Sequence, residues 1–144
     1  MRTKEFLGRL EHERIAGAIA EAESKTSGEI RVFLARGHVA DVFQEARKWF
    51  ERLGMTSTKH RNGVLILVAP RARKFAVIGD SGIHERCGDE FWNNLVEEMR
   101  QHFQRENFTD GIVHAIEAAG SALSRSFPRE PGDRNELPDT IEEG

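Results

Sequence analysis

The sequence predicts an α/β protein: a three-layer α/β/α sandwich built around a small mixed, Rossmann-like sheet. Val64 to Ala69 is an unbroken apolar run of strand length, the pattern of a strand covered on both faces. Ahead of it, the strand-like Glu29–Ala35 and the helical Val42–Leu53 make a strand–helix–strand unit, which sets the first two strands parallel through a right-handed crossover. After it, Pro70-Arg71-Ala72-Arg73 makes a short connection into Lys74–Gly79, so the third strand returns antiparallel to the second.

The elements follow in order. Ile15, Ala18, Ile19 and Ala22 recur at helical spacing and predict one helix from about Lys4 to Glu23, stopped by Thr26-Ser27-Gly28. Glu29 to Ala35 is rich in branched and aromatic side chains, as strands are. Val42, Phe43, Ala46, Trp49, Phe50 and Leu53 predict the next helix, with Asp41 as its N-cap and Gly54 just past its end. Trp92, Leu95, Val96, Met99 and Phe103 mark a long helix beginning at Asp89. A last helix carries Ile112, Ile116, Ala119, Leu123 and Phe127; Thr109 is its expected N-cap and Pro128 its stop. From Arg129 to Gly144 two arginines face six acidic residues with almost nothing apolar, so the expectation is a domain of residues 1–128 and a disordered, acidic, proline-containing tail over residues 129–144.

With 144 residues, 38% hydrophobic and 31% charged, the chain can bury a core, and a net charge of −3 gives no reason to expect a nucleic-acid partner. Cys87 is the single cysteine, so no internal disulfide forms. No apolar run reaches the roughly 20 residues of a membrane span, and the charged start, Met1 to Glu13, is unlike a signal peptide. The expectation is a soluble, cytoplasmic domain. There is no Gly-x-Ser-x-Gly, no phosphate-cradling loop and no dinucleotide fingerprint.

The strand directions place the starts of the first two strands and the end of the third at one edge of the sheet. Thr26-Ser27-Gly28-Glu29, His60-Arg61-Asn62-Gly63 and Gly79-Asp80-Ser81-Gly82 meet there. Glu29, Asn62 and Asp80 supply carboxylate and amide oxygens, the donors that calcium and magnesium prefer, and Asp110 is a fourth candidate if its helix end docks nearby. Each also has an ordinary explanation: Asp80 as a turn residue, Glu29 as an arginine's partner, Asn62-Gly63 as a turn dipeptide. His84 and Cys87 have a zinc-compatible spacing but no second pair, and Cys87 as a nucleophile would need His84 or His102 as its base. Arg71, Arg73 and Lys74 read as a solvated hairpin tip at the opposite end.

These segments resemble a known family. Ala22-Glu23-Ser24-Lys25-Thr26-Ser27-Gly28-Glu29-Ile30, Phe50-x-x-Leu53-Gly54-Met55-x-x-Thr58, Arg61-Asn62-Gly63-Val64-Leu65-Ile66 and Gly79-Asp80-x-Gly82-Ile83 look like the successive motifs of the TPM domain, with Gly111-Ile112 and Phe127-Pro128 closing the match. The resemblance is to the thylakoid-lumen-type phosphatases and bacterial TPM domain proteins. It implies an α/β/α sandwich, divalent-cation binding, often of calcium, and in some relatives acid phosphatase activity. Carried over onto this chain, it favours Glu29 and Asp80, then Asn62, with Asp110 beside the matched Gly111. Three functions follow as expectations: a calcium- or magnesium-binding interaction module with a protein partner, a metal-dependent acid phosphatase using Arg61 against phosphate charge, or a protein–protein interaction domain without metal. The oligomeric state is open.

Overall fold

The computed structural model describes residues 1–130 and 141–144. Strand β1 (Glu29–Leu34), helix α3 (Val42–Arg52), strand β2 (Gly63–Ala69) and strand β3 (Lys74–Gly79) follow the expected alternation. β1 pairs parallel with β2, from Glu29 opposite Gly63 to Leu34 opposite Val68, and β2 pairs antiparallel with β3, from Val64 opposite Gly79 to Ala69 opposite Lys74. All seven residues of β2 are buried. Its even-numbered side chains join Ile30, Val32 and Leu34 in one core, and Leu65, Leu67 and Ala69 join Phe33, Ala35, Ala46 and Phe50 in a second on the other face. Period-2 alternation thus splits one apolar run between two cores and makes the three layers.

The first core is covered by helices α2 (His12–Glu23), α4 (Ser81–Gln104) and α5 (Phe108–Ser126), the second by α3. The ends of α3 are those its sequence specifies. The Asp41 carboxylate accepts from the Phe43 and Gln44 backbone N–H groups, and Gly54 takes the left-handed φ of 73° just past the end.

Four expectations are corrected. The single helix from Lys4 is two, α1 (Thr3–Gly8) and α2, because Leu10 turns into the core between them and the Glu11 N–H donates to the Thr109 hydroxyl at 3.0 Å. Thr109 is therefore not an N-cap: α5 starts two residues earlier, at Phe108 behind Asn107, and the Thr109 hydroxyl serves the α1–α2 bend. Helix α4 starts at Ser81, eight residues before Asp89, and bends at Gly88, whose φ of 76° and ψ of 165° lie outside the helical region. Its first turns bury Ile83 alone, too little to print a period in the sequence.

The fourth correction concerns the end of the chain. Glu142–Glu143 forms strand β4, parallel to β1, with Phe33 opposite Glu142 and Leu34 opposite Glu143, so the sheet order is β3-β2-β1-β4. Residues 131–140 of the expected disordered tail lie outside the described residues. A strand of charged residues carries no apolar alternation; its place comes from the unpaired edge of β1. Among the described residues no helix is long and apolar enough to cross a membrane.

Two substitutions separate local from tertiary stabilisation. Asp41→Ala removes one cap and is expected to cost about 1 kcal/mol in urea unfolding. Ile66→Ala, at a fully buried position of β2, is expected to cost about 3 kcal/mol.

Candidate functional site

The parallel and antiparallel registers define a row across the ends of three strands. Glu29 is opposite Gly63, and the Asp80 N–H donates to the Gly63 carbonyl at 2.9 Å, one step beyond the Val64–Gly79 pair. Two carboxylates thus flank a glycine, their Cα atoms about 10 Å apart at ordinary strand spacing. Glu29, Asn62 and Asp80 are 2%, 1% and 7% exposed, so all three oxygen-bearing side chains are shut into the edge.

The surrounding loops are tied by polar groups. The Glu29 N–H donates to the Asn62 carbonyl, the Asn62 N–H to the Thr58 hydroxyl at 3.2 Å, and the Asn62 amide nitrogen to the Ser27 hydroxyl at 3.3 Å. Thr26 holds the next turn: its hydroxyl accepts from the Gly28 N–H and donates to the Phe127 carbonyl, while Thr26 bridges to Pro128. Gly82 donates to the Arg61 carbonyl at 2.8 Å, and a Cβ there would run into the backbone oxygens of His60 and Arg61. Only glycine allows the start of α4 to pass this close to the β2 loop.

Asp80 has two roles. One oxygen accepts the Ser81 N–H at 2.7 Å, capping α4, where a negative charge suits the helix N-terminus. Both oxygens accept from Arg61, Nε to Oδ2 at 2.7 Å and Nη2 to Oδ1 at 2.9 Å, in a two-pronged pair. The hydrogen bond and then the charge of Asp80 raise the Arg61 guanidinium further above its ordinary value. Arg61 itself sits at a φ of 51°, and its side chain is half exposed. Asp80 is therefore more than a turn residue.

Asp110 is not at this edge. It pairs with Arg14 at 2.9 Å in the first turn of α5, next to Phe108, which lines a cavity with Val68, Ala69 and Pro70 at the other end of β2. The C-terminal end of α5 is the one that reaches the Thr26 loop, and a helix of 19 residues spans about 28 Å. Docking α5 antiparallel to β2 puts Asp110 far from Glu29. Among the described residues no group of three or more histidine, cysteine, aspartate and glutamate side chains is placed to hold a metal ion. His84 stacks on Trp92 and lies 3.6 Å from Asp89. At the opposite end, Lys74 of the basic hairpin donates to the Ala40 carbonyl at 2.9 Å.

A family model for the TPM domain matches residues 1–122. The chain belongs to the TPM domain family. It is similar over its whole length to the BA42 protein of the psychrophilic bacterium Bizionia argentinensis, at 41% identity with 96% of that chain covered and a TM-score of 0.84. The N-terminal domain of the cg2496 protein of Corynebacterium glutamicum shares the fold at 19% identity and a TM-score of 0.60, over 79% of this chain and 72% of that one. No curated protein matches significantly. The TPM-like segments Thr26–Glu29, Met55–Thr58, Arg61–Gly63 and Gly79–Gly82 all gather at the strand-end edge just described.

Sequence reasoning placed three residues that matter here within its segments but gave them no role. Thr58 and Thr26 act through their hydroxyls on neighbouring backbone, and Glu23, 1% exposed at the end of α2, accepts the Ile30 N–H at 2.8 Å. Each works across a chain reversal, where spacing carries no signal. Burial pushes the half-buried Cys87 thiol upward despite the opposing charge of Arg125.

Gly82→Ala is expected to lose about 2–3 kcal/mol in thermal unfolding, since the methyl group meets backbone that cannot rotate aside. Cys87 is expected to alkylate with iodoacetamide more slowly at pH 7 than a cysteine in a short peptide, because less of it is thiolate.

Proposed function

We propose that this TPM domain is a binding module whose strand-end edge takes a hard divalent cation, calcium or magnesium, and presents the ordered loops to a protein partner. The observation that carries the reading is the row itself: Glu29 and Asp80, both buried, on either side of side-chain-free Gly63, with Asn62 one residue away. The donors fit such an ion in kind. They are carboxylate, amide and carbonyl oxygens, which calcium and magnesium accept, rather than the nitrogen and sulfur that zinc sites use. Glu29, Asp80 and Asn62 would hold the ion, which when bound would supply positive charge against the two carboxylates.

Arg61 already supplies such charge to Asp80. Cation binding at Asp80 therefore competes with the guanidinium, and Arg61 sets the affinity. Its half-exposed side chain can swing into water at small cost, whereas Asp80 is held by its bond to the Ser81 N–H.

Thermal unfolding with chelator, then with calcium, magnesium, manganese and zinc, tests this in the wild type, Glu29→Gln and Arg61→Ala. A native-state ligand at a hundred times its Kd adds about 2.7 kcal/mol of stability. The expected outcome is a rise in Tm with calcium or magnesium, larger in Arg61→Ala and absent in Glu29→Gln. No shift with any cation overturns the metal reading. Phosphomonoester hydrolysis that disappears in a folded Asp80→Asn variant would replace the binding module with a catalyst.

A further inference from the structure

The outer edge of β1 carries a feature unrelated to the strand-end row. Arg31 lies in the middle of β1 and is only 5% exposed, yet it is charged. A buried guanidinium is tolerable only when paired. Its partner is Glu142 of β4, and its Nε has no hydrogen-bond partner among the described residues. The slot thus demands an anion and still has a donor to offer.

The rest of the slot is equally particular. Arg36 meets Glu143 at the next position, through Nε at 2.7 Å. At the third, a Cβ on Gly144 would lie 2.6 Å from Trp49 Cη2 and 2.7 Å from Phe33 Cζ, so the wall formed by these two rings accepts glycine alone. The Trp49 ring is fixed by its Nε1–H bond to Glu45 and carries Lys48 and Arg52 over its faces, adding positive charge around the slot. Backbone bonds complete the strand: Gly144 N–H to the Leu34 carbonyl at 3.0 Å and Arg36 N–H to the Gly144 carbonyl at 2.7 Å. Ile141 packs on the first core.

We propose that this edge is a strand-docking slot for an extended Ile-Glu-Glu-Gly segment, occupied here by the chain's own residues 141–144 and open to exchange with the same kind of segment offered by a partner protein. Main-chain pairing with an edge strand provides affinity, and the two arginines and the aromatic wall provide the acidic–acidic–glycine selectivity. The ladder of β4 is two residues long, so exchange breaks a short run of backbone pairing, the Gly144 bonds and the two ion pairs, all of which an incoming segment of the same kind restores. The site is independent of the cation reading, being built on other residues.

The test is a fluorescent Thr-Ile-Glu-Glu-Gly peptide, capped at both ends, titrated into the full chain. Gly144→Val unseats the chain's own segment without changing any residue of β1 and is expected to bind the peptide at least about tenfold more tightly than the wild type. Adding Arg31→Gln should weaken that binding about a hundredfold, and a peptide with glutamine in place of its first glutamate should compete poorly. Should Gly144→Val fail to fold by circular dichroism, Glu143→Arg, which reverses the charge against the exposed Arg36, opens the slot instead. A folded, opened variant that takes no peptide, or takes it regardless of Arg31, overturns the proposal. So does a wild-type dimer dissolved by Gly144→Val, which would put the segment on a second copy.

Discussion

Strand β2 is sealed from water along its whole length, and nearly every other element is placed by that requirement. Its backbone groups must be paired on both sides, so β1 and β3 flank it, and its two faces must be covered, so helices lie on both. The parallel pairing with β1 needs a crossover, which α3 supplies while covering the smaller core. Because β1 and β2 begin at the end where β3 stops, three loops are brought to one edge before any polar contact is considered. The row of Glu29, Gly63 and Asp80 is a by-product of hydrophobic burial; the Thr58, Thr26 and Asp80 bonds then hold it in shape.

Two arginines show how the fold treats charge. Arg61, half exposed, grips Asp80 with two hydrogen bonds at the start of α4, where water screens the pair and the helix end already favours the carboxylate. Arg31, buried in β1, relies on Glu142 from a distant part of the chain. The first is a contact that a competing cation can displace; the second is a charge that must always have a partner. The N-terminal domain of the cg2496 protein shares this scaffold at 19% identity, which a core built on strand alternation and helix faces permits, since volume and pattern are easier to conserve than particular contacts.

Much of this was readable without coordinates. The apolar run of β2, the helical spacing and capping of α3, and the hairpin from Pro70 to Arg73 each lie within a single segment, and their combination dictated the strand directions and hence the edge. What failed to show were features that depend on segments far apart. The break before His12 exists because Glu11 reaches Thr109, α4 starts early where Arg61 of the β2 loop grips its capping residue Asp80, and Asp110 points away because α5 docks antiparallel to β2.

By itself, then, the sequence determined the layer architecture, the three-strand core and the convergence of Glu29, Asn62 and Asp80, since periodicity and strand order are local properties that hydrophobic burial reads directly. Only the tertiary structure decided that Asp80 is shared between Arg61 and a helix terminus, that Asp110 stands apart, and that two acidic residues, Glu142 and Glu143, complete the sheet. The last of these comes from pairing a buried charge and an open strand edge with groups about a hundred residues away, and no local pattern records a partner at that distance.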